Sequence, residues 1–276
     1  MIPILALLVT FIPAVLWLWF FYSRDRYEHE PKRLIGKLFL WGVLSGFWAA
    51  GLNDFIRGLF GGGIQSADDS GLLGLALGLL FLMYALAALN EETMKFLVTS
   101  NSVRTDPNFN EMVDGMIYMT TAALGFAAGE NFGYVLREFF TVAKEAGASS
   151  AFIRAFLVLA PFRAFDGTMA HVAFSGIVGY FFAQRVLGGK GPGVILVGIL
   201  AASALHATSN FVIDLPHVFY EHPGFILTYA FVGVDLIALG IYAILFRKAL
   251  AASPFRTKQL AAGTSPPPGP APKPAG

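Results

Sequence analysis

Apolar runs of about twenty residues follow one another almost from end to end of this chain, parted by short polar stretches. Helical at 1.5 Å per residue, such a run matches the ~30 Å hydrocarbon core of a bilayer. In hydrocarbon only a structure that satisfies its own backbone polar groups persists. The runs fall near residues 2–22, 34–57, 71–99, 113–137, 164–187, 193–213 and 224–246, and they predict an all-α polytopic membrane protein of about seven spans. An eighth piece, AFIRAFLVLAPF at 151–162, would make a helix too long for the bilayer if it ran on to 187. Pro161 is expected to break it and leave a short interfacial or re-entrant helix.

Composition agrees: 56% of residues are hydrophobic and 13% charged, against about 25% charged in soluble domains. A net charge of +1 gives no reason to expect a nucleic-acid partner, and the absence of cysteine removes disulfides, thiolate nucleophiles and Cys-type zinc sites. The first run has neither a basic region before it nor a small-residue cleavage site after it, so it reads as a retained helix. Residues 1–250 are expected to form one helical membrane domain. Residues 251–276, Pro-rich from Thr264 onward, are expected to form a disordered tail.

Basic residues set the orientation. With the N-terminus outside, the outward segments hold Arg57, Arg137, Lys144 and Arg154. The inward ones hold Arg24, Arg26, Lys32, Arg33, Lys37, Lys95, Arg104, Arg185, Lys190, Arg247, Lys248, Arg256, Lys258 and Lys273. The imbalance predicts N-out, C-in, with the tail cytoplasmic.

Polar side chains interrupt five spans. Glu91, Glu92 and Lys95 lie in NEETMK; Glu130 and Asn131 in AAGENFGYV; Arg163, Asp166 and His171 in PFRAFDGTMAH; His206 and Asn210 in LHATSN; Asp235 stands alone in the last span. Ionisable groups in a bilayer are costly and mark functional sites. Measured along their helices, both histidines lie about 21 Å from the cytoplasmic ends and Glu130 about 25 Å; Glu91 lies about 12 Å in, or 19 Å if its helix continues to Arg104. Helices carrying Glu, Glu, His and His at overlapping depths are therefore expected to line one cavity, drawn as open to the cytoplasm. Lys95 shares a helical face with Glu91 and Glu92 and can pair with one of them. The overlapping small-residue patterns GFAAG and GENFG suit close helix packing. Asp54 with Arg57, and Arg163 with Asp166, read as i,i+3 pairs at helix ends. His29, His217 and His222 lie in loops and are given no role.

Two carboxylates and two imidazoles in a partly dry cavity suit hydrolysis. A buried glutamate makes a general base near neutral pH; Glu91 is taken as that base and Glu92 as its orienting partner. Glu130, His171 and His206 could hold Zn²⁺ with a position open for water. Alternatively the imidazoles could donate to an oxyanion with help from Asn210, with no cofactor. Asn131 and Asn210, each within a turn of these residues, could replace the hydrogen bonds of an unwound substrate. The competing class is a secondary transporter or proton-coupled channel, since intramembrane Glu and His also serve proton relays; the matching Gly-interrupted halves such proteins show are not found in the sequence.

The ordered motifs EETMK, DGMIYMTTAALGFAAGENFGY, MAHVAFSGIVGYF and LHATSNF, with the earlier SRDRYEHEPK, resemble the PrsW family of bacterial intramembrane proteases over roughly residues 20 to 215. The resemblance implies a multi-pass peptidase of the bacterial cytoplasmic membrane that cleaves membrane-anchored protein substrates, anti-sigma factors among them. It also implies kinship with the CAAX-type prenyl endopeptidases. By that likeness Glu91 and Glu92 match the paired glutamates, Glu130 and Asn131 the glutamate-asparagine pair, and His171 and His206 the two histidine motifs. The wider superfamily is described both as metallo- and as glutamic-type, so the metal stays open at this point.

Overall fold

A computed structural model describes the backbone of residues 1–218 and 225–256, and the side chains of residues 1–215 and 230–256. Its helices are α1 (Ile2–Tyr22), α2 (Lys32–Asp69), α3 (Leu73–Val103), α4 (Met112–Phe152), α5 (Ala160–Phe162), α6 (Thr168–Val186), α7 (Gly193–Val218) and α8 (Phe225–Ala251). Wider π-helical turns, Ile153–Leu159 and Arg163–Gly167, flank α5. Among the described residues there is no strand, and six helical stretches are long and apolar enough to cross a membrane. The Pro-rich tail, from residue 257, lies outside the described residues, as do the side chains of His217 and His222.

One of the six stretches is a helical run of 75 residues, Met112–Val186. It starts where Asp114 Oδ2 accepts the backbone N–H groups of Asn110 and Glu111 at 2.9 and 2.6 Å, satisfying donors that a helix start leaves free. It reverses at Gly147, whose φ of 81° and ψ of 166° suit a residue without Cβ. Beyond it the chain runs back along α4: Arg154 pairs with Glu138 at 2.9 Å, Phe156 packs on Phe139 at 5.9 Å, and Gly179 lies against Gly115. The break expected at Pro161 is therefore elsewhere. Pro161 sits in α5, where its missing N–H is absorbed by the widened π turns on either side rather than by a reversal.

Every residue of α4 from Val113 to Gly129 is buried, as is every residue of α6 from Thr168 to Tyr180. A helix apolar on all sides belongs at the centre of a bundle, and α1, α2, α3 and α8 pack around these two, with α7 against α3, α6 and α8. Close approach is made by glycine. A Cβ on Gly42 would lie 2.1 Å from the Ala122 carbonyl oxygen, and one on Gly125 would lie 2.0 Å from that of Phe39. The GFAAG pattern is thus the α2–α4 seam. GENFG is not, because nothing lies within 4 Å of a Cβ at Gly133. The helix α3 runs on to Val103 with Arg104 as its C-cap, which gives Glu91 the greater of its two expected depths.

Candidate active site

The parallel α2–α4 pair and the α4–α6 hairpin bring polar residues from α2, α3, α4, α6 and α7 to one level. On α3, Glu91 and Glu92 are consecutive and so point in different directions. Glu92 is fully buried, and its oxygens are all engaged by protein: Lys95 Nζ at 2.5 Å and His206 Nδ1 at 3.1 Å on Oε1, Ser175 Oγ at 2.8 Å on Oε2. Glu91 lines a cavity of about 390 Å³ together with Glu130, His171 and His206. Its Oε1 accepts from Asn53 Nδ2 at 2.8 Å, and among the described residues its Oε2 is buried without a hydrogen-bond partner.

The hydrogen bonds constrain the imidazole protons. A carboxylate accepts, so His206 carries a proton on Nδ1 towards Glu92, and its Nε2, a lone-pair donor when the ring is neutral, faces Glu91 Oε2 at 3.7 Å. Lys95 Nζ lies 3.2 Å from His171 Nδ1, and His171 Nε2 lies 3.0 Å from Glu130 Oε2. An ammonium only donates, so a charged Lys95 leaves His171 with its proton on Nε2, given to Glu130. The two rings meet edge to face, 5.1 Å apart, with Phe174 stacked on His206 at 4.9 Å and Phe126 beside His171 at 5.3 Å.

Several sequence expectations are corrected by this geometry. Arg163 does not pair with Asp166; its guanidinium holds Glu130 Oε2 at 2.5 Å, donates from Nε to Asn131 Oδ1 at 2.6 Å and lies 4.0 Å over the Tyr134 ring. Asn131 in turn donates to the Arg163 carbonyl at 3.2 Å and to Thr168 at 3.3 Å. Both ends of its amide are committed to the π turn, and it does not line the cavity, whereas Asn210 does. The three donor atoms that lie within 4.8 Å of one another belong to Glu91, His171 and His206. The carboxylate of that group is Glu91, while Glu130 is held by Arg163 and by His171 Nε2. Lys95 is a buried member of the site rather than a topological charge. The cavity mouth is marked by exposed Arg57 and Arg137, which share Asp54 at 3.2 and 3.6 Å. It therefore lies at the end of the bundle away from the basic clusters. The Asp54–Arg57 pair is present as anticipated.

Ser175 and Asn53 escaped the sequence reading, which places Arg163 in a pair with Asp166. Ser175 carried a signal, since it lies four residues after His171 and so on the same helical face; Arg163 reaches Glu130 only through the fold.

A family model described as PrsW family intramembrane metalloprotease matches residues 30–239, or 210 of the 276 residues. The chain belongs to the PrsW family. Three curated relatives carry the name Protease PrsW. That of Geobacillus kaustophilus (strain HTA426) is 31% identical over 172 residues, covering 62% of this chain and 63% of that protein. The Clostridioides difficile (strain 630) relative is 26% identical over 215 residues, 76% of this chain and 79% of its own length. That of Bacillus subtilis (strain 168) is 24% identical over 203 residues, 73% of this chain and 79% of its own. No solved structure matches significantly.

The PrsW family description implies a metal, and the residues present fit one. Among the described residues Glu91 Oε2 is a buried oxygen with no hydrogen-bond partner, His206 Nε2 faces it, and a ring nitrogen of His171, once released by Lys95 or Glu130, completes three donors within 4.8 Å. Glu92 behind His206 and Asn53 behind Glu91 are outer partners of the kind that orient metal ligands.

Proposed function

We propose that the chain is an intramembrane endopeptidase that hydrolyses membrane-anchored proteins near the outer margin of the bilayer. The observation that carries this reading is the unpartnered Glu91 Oε2, set with His171 and His206 at the buried end of a polar cavity. Glu91, His171 and His206 would hold a divalent metal, Zn²⁺ by donor type, and such an ion supplies a water of lowered pKa and polarises the carbonyl. Glu92 fixes the His206 tautomer through Nδ1 and anchors Lys95. Without the ion, Glu130, steadied by Arg163, accepts the Nε2 proton of His171; holding the ion would require that ring to free a lone pair by releasing either Lys95 at Nδ1 or Glu130 at Nε2. In a glutamic-type reaction Glu91 Oε2 itself takes the proton from water. Asn210 is placed to meet the substrate backbone once its helix unwinds, a step that otherwise leaves polar groups unpaired in hydrocarbon. The family likeness extends the proposal to anti-sigma-factor-like substrates in a bacterial cytoplasmic membrane.

Seven crossings follow if the two arms of the Gly147 hairpin each span, and the basic residues favour N-out, C-in. The cavity mouth then faces outward. Because the chain has no cysteine, Lys144→Cys should label with an impermeant maleimide on intact cells and Lys190→Cys should not; the reverse pattern would overturn the orientation. For the chemistry, Glu91→Gln and Glu92→Gln should each lower cleavage of a reconstituted membrane-anchored substrate by about 10²-fold or more with the protein still folded. A double variant that cleaves at the native rate would refute the assignment.

A further inference from the structure

The arginines lining the cavity already have carboxylate partners. Arg57 and Arg137, on α2 and α4, are spent on Asp54 at the mouth, and Arg163 is spent on Glu130. The Arg163–Gly167 turn, α7 and α8 contribute three carboxylates to the lining, Asp166, Asp214 and Asp235, the first of them within the field of Arg163. Among the described residues no lysine or arginine forms an ion pair with any of the three. Asp214 accepts the Tyr84 hydroxyl from α3. Asp235 is 4% exposed and among the described residues its Oδ1 is buried with no hydrogen-bond partner, while Ser209 of α7 faces the same carboxylate.

A buried carboxylate oxygen without a partner is costly, and a charge-assisted hydrogen bond from a cation removes that cost. The cation that fits here is organic. Asp166, Asp214 and Asp235 do not gather their oxygens within 4.8 Å, as the donors of Glu91, His171 and His206 do, so an ion of small radius is not offered a shell. The cavity has room for a side chain beside an extended backbone, and Asp235 lies close enough to His206 for their charges to interact.

We propose that Asp235, with Asp166 beside it, forms a specificity subsite that receives a lysine or arginine side chain of the substrate next to the scissile bond. Asp235 would thus be a substrate-binding residue on the last helix. The proposal rests on the peptidase reading for the identity of its ligand, and the test is built so that the two fail separately.

Binding is measured first, without requiring turnover. The purified full chain is titrated with acetyl-Ala-Ala-Arg-Ala-Ala-amide and with the same peptide carrying citrulline, the neutral isostere of arginine, and thermal unfolding is followed. The arginine peptide should raise the melting temperature and the citrulline peptide should not, with the difference lost in Asp235→Asn and kept in Asp235→Glu. Equal shifts from both peptides, no shift from either, or a difference that survives Asp235→Asn would overturn the subsite. Cleavage is measured second, on a membrane-anchored reporter with Arg or Gln at each position flanking the cut. The wild type should favour Arg at one position by about tenfold, and in Asp235→Asn the ratio should fall to about one. Cleavage with no preference refutes the subsite and leaves the peptidase standing. Binding discrimination without cleavage of any reporter refutes the peptidase and leaves the subsite standing.

Discussion

Replacing Gly125 by alanine tests whether the site depends on the α2–α4 seam. The new Cβ would lie 2.0 Å from the Phe39 carbonyl oxygen, 2.9 Å from its carbon and 3.0 Å from the Val43 nitrogen. All three atoms are backbone of α2, so no rotamer change relieves them. Bringing the nearest contact back to 3.0 Å requires α2 to retreat by about 1 Å. Overpacking of this kind costs about 1–3 kcal/mol, which for a domain of this size lowers the melting temperature by roughly 2–12 °C. The effect should reach the site as well. Asn53 holds Glu91 from α2 at 2.8 Å, and a 1 Å retreat carries that bond past about 3.5 Å, where a hydrogen bond is lost. Gly125→Ala should therefore lose activity beyond what its stability loss explains. Gly42→Ala, which meets Ala122 at 2.1 Å on the same seam, should behave alike, and the pair should be less than additive because the first substitution already parts the helices. Gly51→Ala, with nothing within 4 Å, is the control and should be neutral or mildly stabilising. The assay is thermal unfolding in detergent with cleavage in parallel. Native stability and activity in Gly125→Ala would refute the reasoning.

Arg163→Gln should leave Glu130 without its cation and lower cleavage by at least about tenfold, and Arg163→Lys should not restore it, because an ammonium cannot serve Glu130 and Asn131 together in the planar way a guanidinium does; full activity in the lysine variant would argue against the bridge. Asn210→Ala should reduce cleavage with little change in melting temperature, whereas Asn131→Ala, which frees the Arg163–Gly167 turn, should lower both together; the opposite assignment of effects would exchange their roles. Burial, reinforced by the neighbouring Asp114, pushes Asp25 up to about 8 and Glu30 up to about 9, and burial also raises Glu111. Asp25, Glu28, Glu30, Glu111 and Asp114, with the Tyr118 hydroxyl on Glu30, form this second acidic group. Groups raised in the folded state bind more protons there than when unfolded. Their contribution to stability is thus complete below about pH 4 and declines as pH rises through 8–9. Unfolding midpoints measured from pH 5 to 9 should fall across that range in wild type and flatten in an Asp25→Asn, Glu30→Gln variant; a parallel slope in the variant would refute the assignment.

The helical membrane class was legible in the chain because run length and apolarity answer directly to bilayer thickness. The site's level was legible for a related reason: ionisable residues are expelled from lipid unless they meet partners, so Glu91, Glu92, Glu130, His171 and His206 announced one another across separate spans. Local spacing also held, since Lys95 three residues after Glu92 pairs with it as helix geometry requires. What a one-dimensional pattern could not carry was the choice among partners of equal charge. Arg163 had Asp166 within a turn, yet the fold of the chain at Gly147 lays α6 along α4 and gives it Glu130 instead. Glu130 is thus shared between Arg163 and His171, and Glu91 is the carboxylate grouped with the two histidines. The side on which the cavity opens was likewise decided by packing. The glycine seam closes α2 on α4 at one end, while at the other the polar side chains of Arg57, Arg137 and Asp214 line an opening between helices. Hydropathy records how far each residue lies from water along its own helix, and only the tertiary structure determines which neighbour takes up its charge.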